Sequence, residues 1–468
     1  MLDVSSPGAQ ALVLAAGRGT RMRSTGAKVL QPVLGAPMLE HVLRAVAGAG
    51  TDPIAIVVGH GADSVRASFP GRGAFVVQEP PLGTGHAVQA AGEHLAAHPD
   101  RTLLVVNGDV PLLRTSTLTA LLEAHRRSGA DATLVSAELA DPGSYGRVVR
   151  DGDKVRRIIE ARDASGDELR IGEINAGIYA FEVPPLLRVL DRLQPQNAQG
   201  EYYLTDVVGL LTADGARVGC VQTGNPQEIL GVNTFAELAA ACDLLRRRIL
   251  DALMTAGVRI EDPGTTHVGP DASVEPDAVI RAFTFLEGRT VVRSGAKVGP
   301  FARVLDSEVG SGAQVLDHCL LLGSVVEAGA SVGPFAHLRP ESRVGPRAKV
   351  GNFVELKKTH LGEGAKAPHL SYLGDAIIGP RVNVGAGTIT CNYDGTAKHP
   401  TRIEADAFIG TDTTLVAPLT VGEGAYIAAG SAITADVPAG ALALGRARQV
   451  VKEGWAQRRR RAREGRKA

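Results

Sequence analysis

VEAGASVGPFAHLRPESRVGPRAKVGNFVEL, residues Val326 to Leu356, puts an aliphatic side chain at every sixth position: Val326, Val332, Leu338, Val344, Val350 and Leu356. Neither the 3.6-residue period of a helix nor the two-residue period of a strand generates a beat of six, so the stretch reads as a repeat array, a parallel β-helix. Each coil buries its aliphatic residues only against the coils above and below it. The beat runs from Val268 to about Val437 and is strict again at Ile409, Leu415, Val421, Ile427 and Ile433.

The faults in this array carry as much information as its regular part. Leu356 to Leu361 and Leu373 to Ile378 are steps of five, and TCNYDGTAKHPTR, beginning at Thr390, interrupts the beat until Ile403. Insertions into a solenoid become loops on one face, often the binding face. A tolerated surface loop would look the same, but these faults gather around His369, Tyr372, Asn383, Asn392, Tyr393 and Lys398, which points to a site.

At 468 residues the chain is long enough for two or three domains, each with a sizeable core. Lys and Arg balance Asp and Glu at 50 each, so overall charge predicts neither nucleic-acid nor stable membrane association. Cys220, Cys242, Cys319 and Cys391 lie far apart without metal-ligand spacing, as expected of reduced thiols in a cytoplasmic protein. The N-terminal residues do not read as a secretion signal, and no segment reads as a membrane span. RRRRAR after Trp455 makes the end of the chain basic, in the manner of a solvated tail.

Before the solenoid, ALVLAA (11 to 16) reads as a buried parallel strand, and GRGTRM follows it as a loop. Met22 stands where a third glycine would complete the dinucleotide fingerprint, and the P-loop spacing is absent too. Glycine amides with Arg21 and Lys28 nearby can form a phosphate cradle. Strands at Ile54–Val58, Phe75–Val77, Leu103–Val106 and Thr133–Ser136 alternate with helices at His41–Ala47, Gly85–Ala97 and Ser116–Ser128. The result is a Rossmann-like open α/β sheet, with ligands expected beyond the carboxyl ends of the strands. Gln78 with PLGTGHA, carrying Gly83 and Thr84, and NGDVPLL, carrying Asn107, Gly108 and Asp109, fall at such ends. A strand-end carboxylate there can hold a hard cation against phosphates. From Thr234 to Ala256, Leu238, Cys242, Leu245, Ile249 and Leu253 have the spacing of an amphipathic helix.

LAAGRGTRM with KVLQPVLGAPML resembles the sugar-1-phosphate nucleotidyltransferases, and the hexapeptide array resembles the hexapeptide acyltransferases, whose coil is a left-handed β-helix of three hexapeptides per turn. YGRVVR, IIEARDA, EINAGIYAF, NAQGEYYLTD, GVNT and KEGW then follow in the order of one family. That family comprises the bifunctional enzymes that acetylate glucosamine-1-phosphate and then uridylylate the product to UDP-N-acetylglucosamine, feeding peptidoglycan and lipopolysaccharide precursor synthesis. The resemblance covers nearly the whole chain. It implies a uridylyltransferase domain over 1–236, a linker helix over 237–257, a left-handed β-helix of roughly nine coils over 258–440 and a basic tail over 441–468. It also implies that Leu14, Ala15, Ala16, Gly17, Arg21, Lys28, Gln78, Gly83, Thr84, Asn107, Gly108, Asp109, Gly146, Glu160, Asn175 and Asn233 line the nucleotide-sugar pocket, with Asp109 and Asn233 ligating Mg²⁺. In the solenoid it implies His369 as general base, Arg339, Lys357, Tyr372, Asn383 and Lys398 around glucosamine-1-phosphate, and Ala386, Asn392, Tyr393, Thr411, Ala429 and Arg446 around acetyl-CoA. UTP would be the other co-substrate. The family's assembly is a homotrimer, with the loop after Thr390 and Lys398 expected to reach a neighbouring chain. The chain departs from the family pattern at Asn107, where a Tyr is common, at Thr234, where a second Asn is common, and at Thr411, where Ser is usual.

Two other readings start from the same array: a solenoid serving a single-activity nucleotidyltransferase as a trimerisation or effector module, or a zinc hydratase. The first has no need of His369 with its basic and aromatic neighbours. The second needs three convergent histidines.

Overall fold

The computed structural model describes residues 8–17, 19–23 and 26–464. The chain forms two units, residues 1–248 and 249–468, and the division falls inside one helix, Phe235–Thr255. Thr234 starts that helix: its hydroxyl accepts from the Glu237 N–H at 3.1 Å, and the Glu237 carboxylate accepts from the N–H groups of Asn233 and Thr234 at 2.6 and 2.8 Å. This reciprocal arrangement satisfies amide donors that a helix start leaves open.

The first unit is built on seven strands: β1 (Ala9–Ala15), β2 (Thr51–Val58), β3 (Ala74–Val77), β4 (Thr102–Asn107), β5 (Ala132–Glu138), β6 (Glu173–Glu182) and β7 (Val218–Gln222). Their order across the sheet is β7-β5-β6-β4-β1-β2-β3, with a hairpin of Arg147–Asp151 and Lys154–Ile159 attached beside β6. β6 runs antiparallel to both its neighbours, so the open sheet is mixed. Alternate residues of the central strands feed two cores: Val13, Ile56 and Val106 face Leu39, Val42 and Leu118, while Leu12, Val57 and Val105 face Val88, Leu95 and Leu186. The segment expected as one helix, Gly85–Ala97, is two, Thr84–Ala90 and Gly92–Ala96. Ala91 leaves helical geometry between them, at φ −89° and ψ 3°.

The second unit is a parallel β-helix with the three-faced section of the left-handed coil. Its three sheets contain eleven, ten and nine short strands, the first beginning at Arg259, so the coil starts earlier and is longer than the hexapeptide beat alone indicates. Register explains the faults. Val326 pairs with Val344, a step of 18, whereas Val344 with Leu361 and Leu361 with Ile378 are steps of 17. Ile378 pairs with Ile403, and the extruded segment begins later than the sequence break suggested: Thr390 and Cys391 stay in the strand Ile389–Cys391, paired with Leu415 and Val416, and the chain leaves the coil only after them before resuming in register. Two further five-residue steps, Val304 to Val309 and Leu321 to Val326, are absorbed in the same way. One continuous core of fully buried aliphatics runs up the axis, including Val332, Leu338, Val350, Leu356 and Leu373. Each such side chain contributes on the order of 1.5–3 kcal/mol by leaving water.

The corners are less regular chemically than the faces. At one of them Phe283, Phe301, His318, Phe335 and Phe353 all hold φ between 54° and 57°. Their rings stack coil on coil with centroids 4.7, 4.7, 4.8 and 5.3 Å apart. Leu370 takes the next place in the column, immediately after His369.

Candidate active sites

In the first unit a cleft of about 610 Å³ opens at the carboxyl ends of β1, β3 and β4. It is lined by Leu14 to Gly17, Lys28, Gln78, Gly83, Thr84, Asn107 and Asp109, residues drawn from separate stretches of sequence. The Gly108 N–H donates to the Leu14 carbonyl at 2.9 Å, which ties the two strand ends together. Gly83 is required where it stands: its φ is +110°, and a Cβ there would lie 2.6 Å from the Tyr202 carbonyl oxygen. That contact, with Tyr202 N–H to the Leu82 carbonyl at 2.8 Å, joins the 78–86 loop to residues 201–204. Gln78 braces the same loop, its Nε2 donating to the Gly83 carbonyl at 2.8 Å. Pro80, Pro81, Leu82 and Glu201 also line the cleft and were not singled out from the sequence, although Glu201 lies within the NAQGEYYLTD stretch.

Lys28, nearly buried, crosses the floor. Its Nζ donates to Asp109 Oδ2 at 2.5 Å and to Asn233 Oδ1 at 2.9 Å. Val232 N–H bonds to the Asp109 carbonyl at 2.9 Å, which brings Asn233 beside Asp109 across more than 120 residues. The ammonium thus stands between two hard oxygen donors as a cation in its own right. Among the described residues no group of three or more His, Cys, Asp or Glu side chains is gathered for a metal. The pair supplies two oxygen donors, so a Mg²⁺ held there would have to draw its remaining ligands from phosphate and water.

Gly146, Glu160 and Asn175 form a second group. Asn175 N–H donates to the Gly146 carbonyl at 2.8 Å, Asn175 Nδ2 donates to Tyr179 Oη at 2.7 Å, and Thr205 Oγ1 donates to Glu160 Oε1 at 3.0 Å. Burial pushes the Glu160 carboxyl above its ordinary range, with the hydroxyl bond opposing and Asp206 and Asp163 adding to the rise. A Cβ on Gly177 would stand 2.5 Å from Asn107 Nδ2, so Asn107 packs against the β6 backbone beside this group. Arg21 is exposed on the turn Thr20–Met22 and does not line the cleft.

In the second unit His369 ends the strand Lys366–His369, paired with Asn352 one coil below. His369 Nδ1 lies 2.6 Å from Asn352 Oδ1. An amide oxygen only accepts, so Nδ1 carries the proton and Nε2 presents a lone pair. The next face begins beyond this corner and carries Glu355–Lys357 and Tyr372–Gly374 in register. At its far corner Lys357 Nζ meets both Asp375 oxygens at 2.9 and 3.1 Å, and Asn392 Nδ2 donates to the same carboxylate. A Cβ on Gly374 would stand 2.5 Å from Tyr372 Oη and 2.7 Å from Asn392 Nδ2, so only glycine lets those side chains converge. Arg339 is exposed, its Nη1 donating to Glu355 at 3.0 Å, and its own N–H bonds to the Leu356 carbonyl at 2.8 Å. Asn383 sits above Lys366 on the same face as His369.

The extruded loop folds back by a bridge between Tyr393 and Lys398 and by His399 N–H to the Asn392 carbonyl at 2.8 Å. Within its own chain Lys398 stands beside Lys357. Of the residues implied for acetyl-CoA, Ala386, Thr411, Ala429 and Arg446 follow one edge upward, whereas Asn392 and Tyr393 lie at the extruded loop. Asp412 N–H bonds to the Ala386 carbonyl at 2.7 Å, Gly430 N–H to the Thr411 carbonyl at 2.8 Å, and Arg446 Nη1 to the Ala429 carbonyl at 2.8 Å. Gly387 N–H to the Leu370 carbonyl at 2.9 Å connects that edge to His369. Asn352 and Asp375 were not identified from the sequence. An Asn one coil below and a carboxylate in a Gly-Asp turn carry no local signal until the 17-residue register is known. The three convergent histidines of a zinc hydratase are not assembled among the described residues.

The MobA-like NTP transferase domain family matches residues 11–147. Bifunctional protein GlmU of Brevibacillus brevis is 47% identical over 449 residues, covering 96% of this chain and 97% of that protein. Bifunctional protein GlmU of Thermotoga petrophila is 48% identical over 452 residues, covering 96% and 99%, and that of Carboxydothermus hydrogenoformans is 44% identical over 447 residues, covering 95% and 99%. With such identity over nearly the full length, and with a nucleotidyltransferase unit and a hexapeptide β-helix in one polypeptide, the chain belongs to the bifunctional GlmU family.

Proposed function

We propose that the second unit acetylates glucosamine-1-phosphate with acetyl-CoA and that the first unit transfers uridylyl from UTP to the N-acetylated product, releasing pyrophosphate. The observation that carries the uridylyl half is the single cleft into which Leu14 to Gly17, Lys28, Gln78, Gly83, Thr84, Asn107 and Asp109 converge. The sugar phosphate oxygen attacks the α-phosphorus in line as pyrophosphate departs, so catalysis rests on positioning and charge neutralisation. Strand-end backbone and the Gly83 turn hold the nucleotide, and Gly146, Glu160 and Asn175 hold the sugar. Lys28 exchanges its contacts with Asp109 and Asn233 for the triphosphate. Mg²⁺ bound by those two oxygens would neutralise charge on the transferring phosphates.

In the acetyl half, the glucosamine amine attacks the thioester carbonyl and gives its proton to His369 Nε2. The coenzyme A thiolate leaves and is protonated in turn. Asn352 keeps the imidazole in the tautomer that can accept. Lys357, Tyr372 and Lys398, with Arg339 and Asn383, receive the sugar phosphate; Ala386, Asn392, Tyr393, Thr411, Ala429 and Arg446 run along the cofactor.

His369, Tyr393, Lys398 and Thr411 are all exposed on one solenoid, whereas a sugar phosphate and a long cofactor need a groove that covers them. A homotrimer with solenoids side by side supplies the missing wall. Among the described residues no helix is long and apolar enough to cross a membrane. The test is to incubate the protein with glucosamine-1-phosphate, acetyl-CoA, UTP and Mg²⁺ and to follow thiol and pyrophosphate release separately. Both should appear, and EDTA should stop pyrophosphate release alone; thiol release that also stops on chelation would refute the metal-free mechanism of the acetyl half.

A further inference from the structure

We propose that Asp375 is a positioning residue of the acetyltransferase site, its carboxylate tying Lys357, on the sugar-phosphate side, to Asn392, on the acetyl-CoA side, and so coupling the two ligands. The inference rests on the acetyltransferase reading given above.

Asp375 occupies the corner after Tyr372–Gly374, at φ +49°, with its side chain 17% exposed. Besides accepting from Lys357 Nζ and Asn392 Nδ2, it is fixed through its backbone. Its N–H donates to the Lys357 carbonyl at 2.9 Å, and its carbonyl accepts from Thr401 N–H at 3.1 Å, where the chain re-enters the coil after the extruded loop. Both ends of that loop and one sugar-phosphate lysine therefore hang on one residue. Burial pushes the Asp375 carboxyl up, but the bonds from Lys357 and Asn392 outweigh it and hold the group below the usual carboxylate range. A hydrogen-bonding contact with Lys357, and then the like charge of that group, lower the Lys398 ammonium pKa. Two ammonium groups abreast repel, and the carboxylate between the strands lets them face one phosphate together.

The sign of one measurement separates positioning from bulk charge. Asp375→Asn removes a negative charge beside a phosphate site, so an effect of charge alone would tighten glucosamine-1-phosphate. Loss of the anchor for the lysines weakens it. Asn is the suitable substitution because it tolerates left-handed backbone better than other non-glycine residues. We expect the KM for glucosamine-1-phosphate to rise roughly tenfold or more, the scale of one charge-assisted hydrogen bond, with a smaller change in kcat. In a Lys357→Met background the same substitution should add little, because the two residues act as one unit. Calorimetric titration of coenzyme A, with and without glucosamine-1-phosphate, should show mutual dependence in the unaltered protein and little in D375N. A lowered or unchanged KM in D375N, additivity with K357M, or undiminished ligand coupling overturns the proposal. If D375N fails to fold, Asn392→Ala tests the same tie from its other end. It should weaken glucosamine-1-phosphate as well as acetyl-CoA, and a change confined to acetyl-CoA overturns the proposal. Absence of thiol release from the unaltered protein would instead count against the acetyltransferase reading itself.

Discussion

Asp109→Asn should cost the first unit stability as well as activity, unlike the common case in which neutralising an active-site charge relieves repulsion. The reason is the short contact with Lys28, whose side chain is 9% exposed while that of Asp109 is 25% exposed. Removing one member of a buried ion pair leaves the other uncompensated, at roughly 3–5 kcal/mol. Asp109 is partly solvated, Asn keeps an accepting oxygen, and Asn233 still accepts from Nζ at 2.9 Å, so a discounted figure of about 1–2 kcal/mol is appropriate. For a unit of this size that is a fall in melting temperature of about 2–8 °C. Scanning calorimetry without ligands measures it, and adding Lys28→Met should recover most of the loss because the stranded charge is then gone. In parallel, pyrophosphate release should fall roughly 10²–10³-fold while thiol release stays near its original rate. An unchanged or raised melting temperature in D109N, or no recovery in the double variant, would refute the ion-pair argument. Loss of both activities in a folded protein would refute the separation of the sites.

His369→Ala should lower thiol release roughly 10²–10⁴-fold, the range for a general base, and spare pyrophosphate release; equal loss of both would contradict the assignment. Asn352→Ala should lower thiol release by a smaller factor, about tenfold or more, by freeing the imidazole tautomer, and an unchanged rate would remove Asn352 from the mechanism. Glu160→Gln tests a pH dependence. Because the folded pKa of Glu160 is raised, the fold favours the protonated acid, and its contribution is full below the unfolded value of about 4.3 and is lost as pH rises through the folded pKa. The variant should therefore melt higher than the original protein near neutrality, with the gap closing in acid, and a gap that widened in acid would reverse the sign. Leu338→Ala, in the fully buried solenoid core, should cost about 2–5 kcal/mol and reduce thiol release only through unfolding; a variant that melts normally would mean the coil collapses around the cavity.

The parts of the site legible beforehand are those whose signal is local. Leu14 to Gly17, Gln78 and Asn107 to Asp109 each end or follow an apolar run that reads as a strand, and strand ends in an open sheet are where ligands sit. His369 and Lys398 stood out because they fall where the six-residue beat fails. Glu201 was not singled out because its place in the cleft depends on the bond between Leu82 and Tyr202, which joins segments 120 residues apart. The aromatic column was present in the sequence at spacings of 18, 17, 17 and 18 from Phe283 to Phe353, but a period of one whole coil is invisible to a search at the period of one face.

Periodicity by itself determined that the second half of the chain is a solenoid, because a beat of six aliphatic residues has one economical burial and the chain must take it. The alternation of apolar runs with helical patterns likewise determined an open α/β sheet in the first half. Tertiary structure alone decided the particular contacts: Lys28 between Asp109 and Asn233, Asn352 on His369, and Asp375 joining Lys357 to Asn392. Each joins residues 17 to 205 positions apart. Local preference fixes which face a residue takes, whereas the distance between two polar atoms depends on every step of register between them, and one five-residue step moves the partner to another side chain.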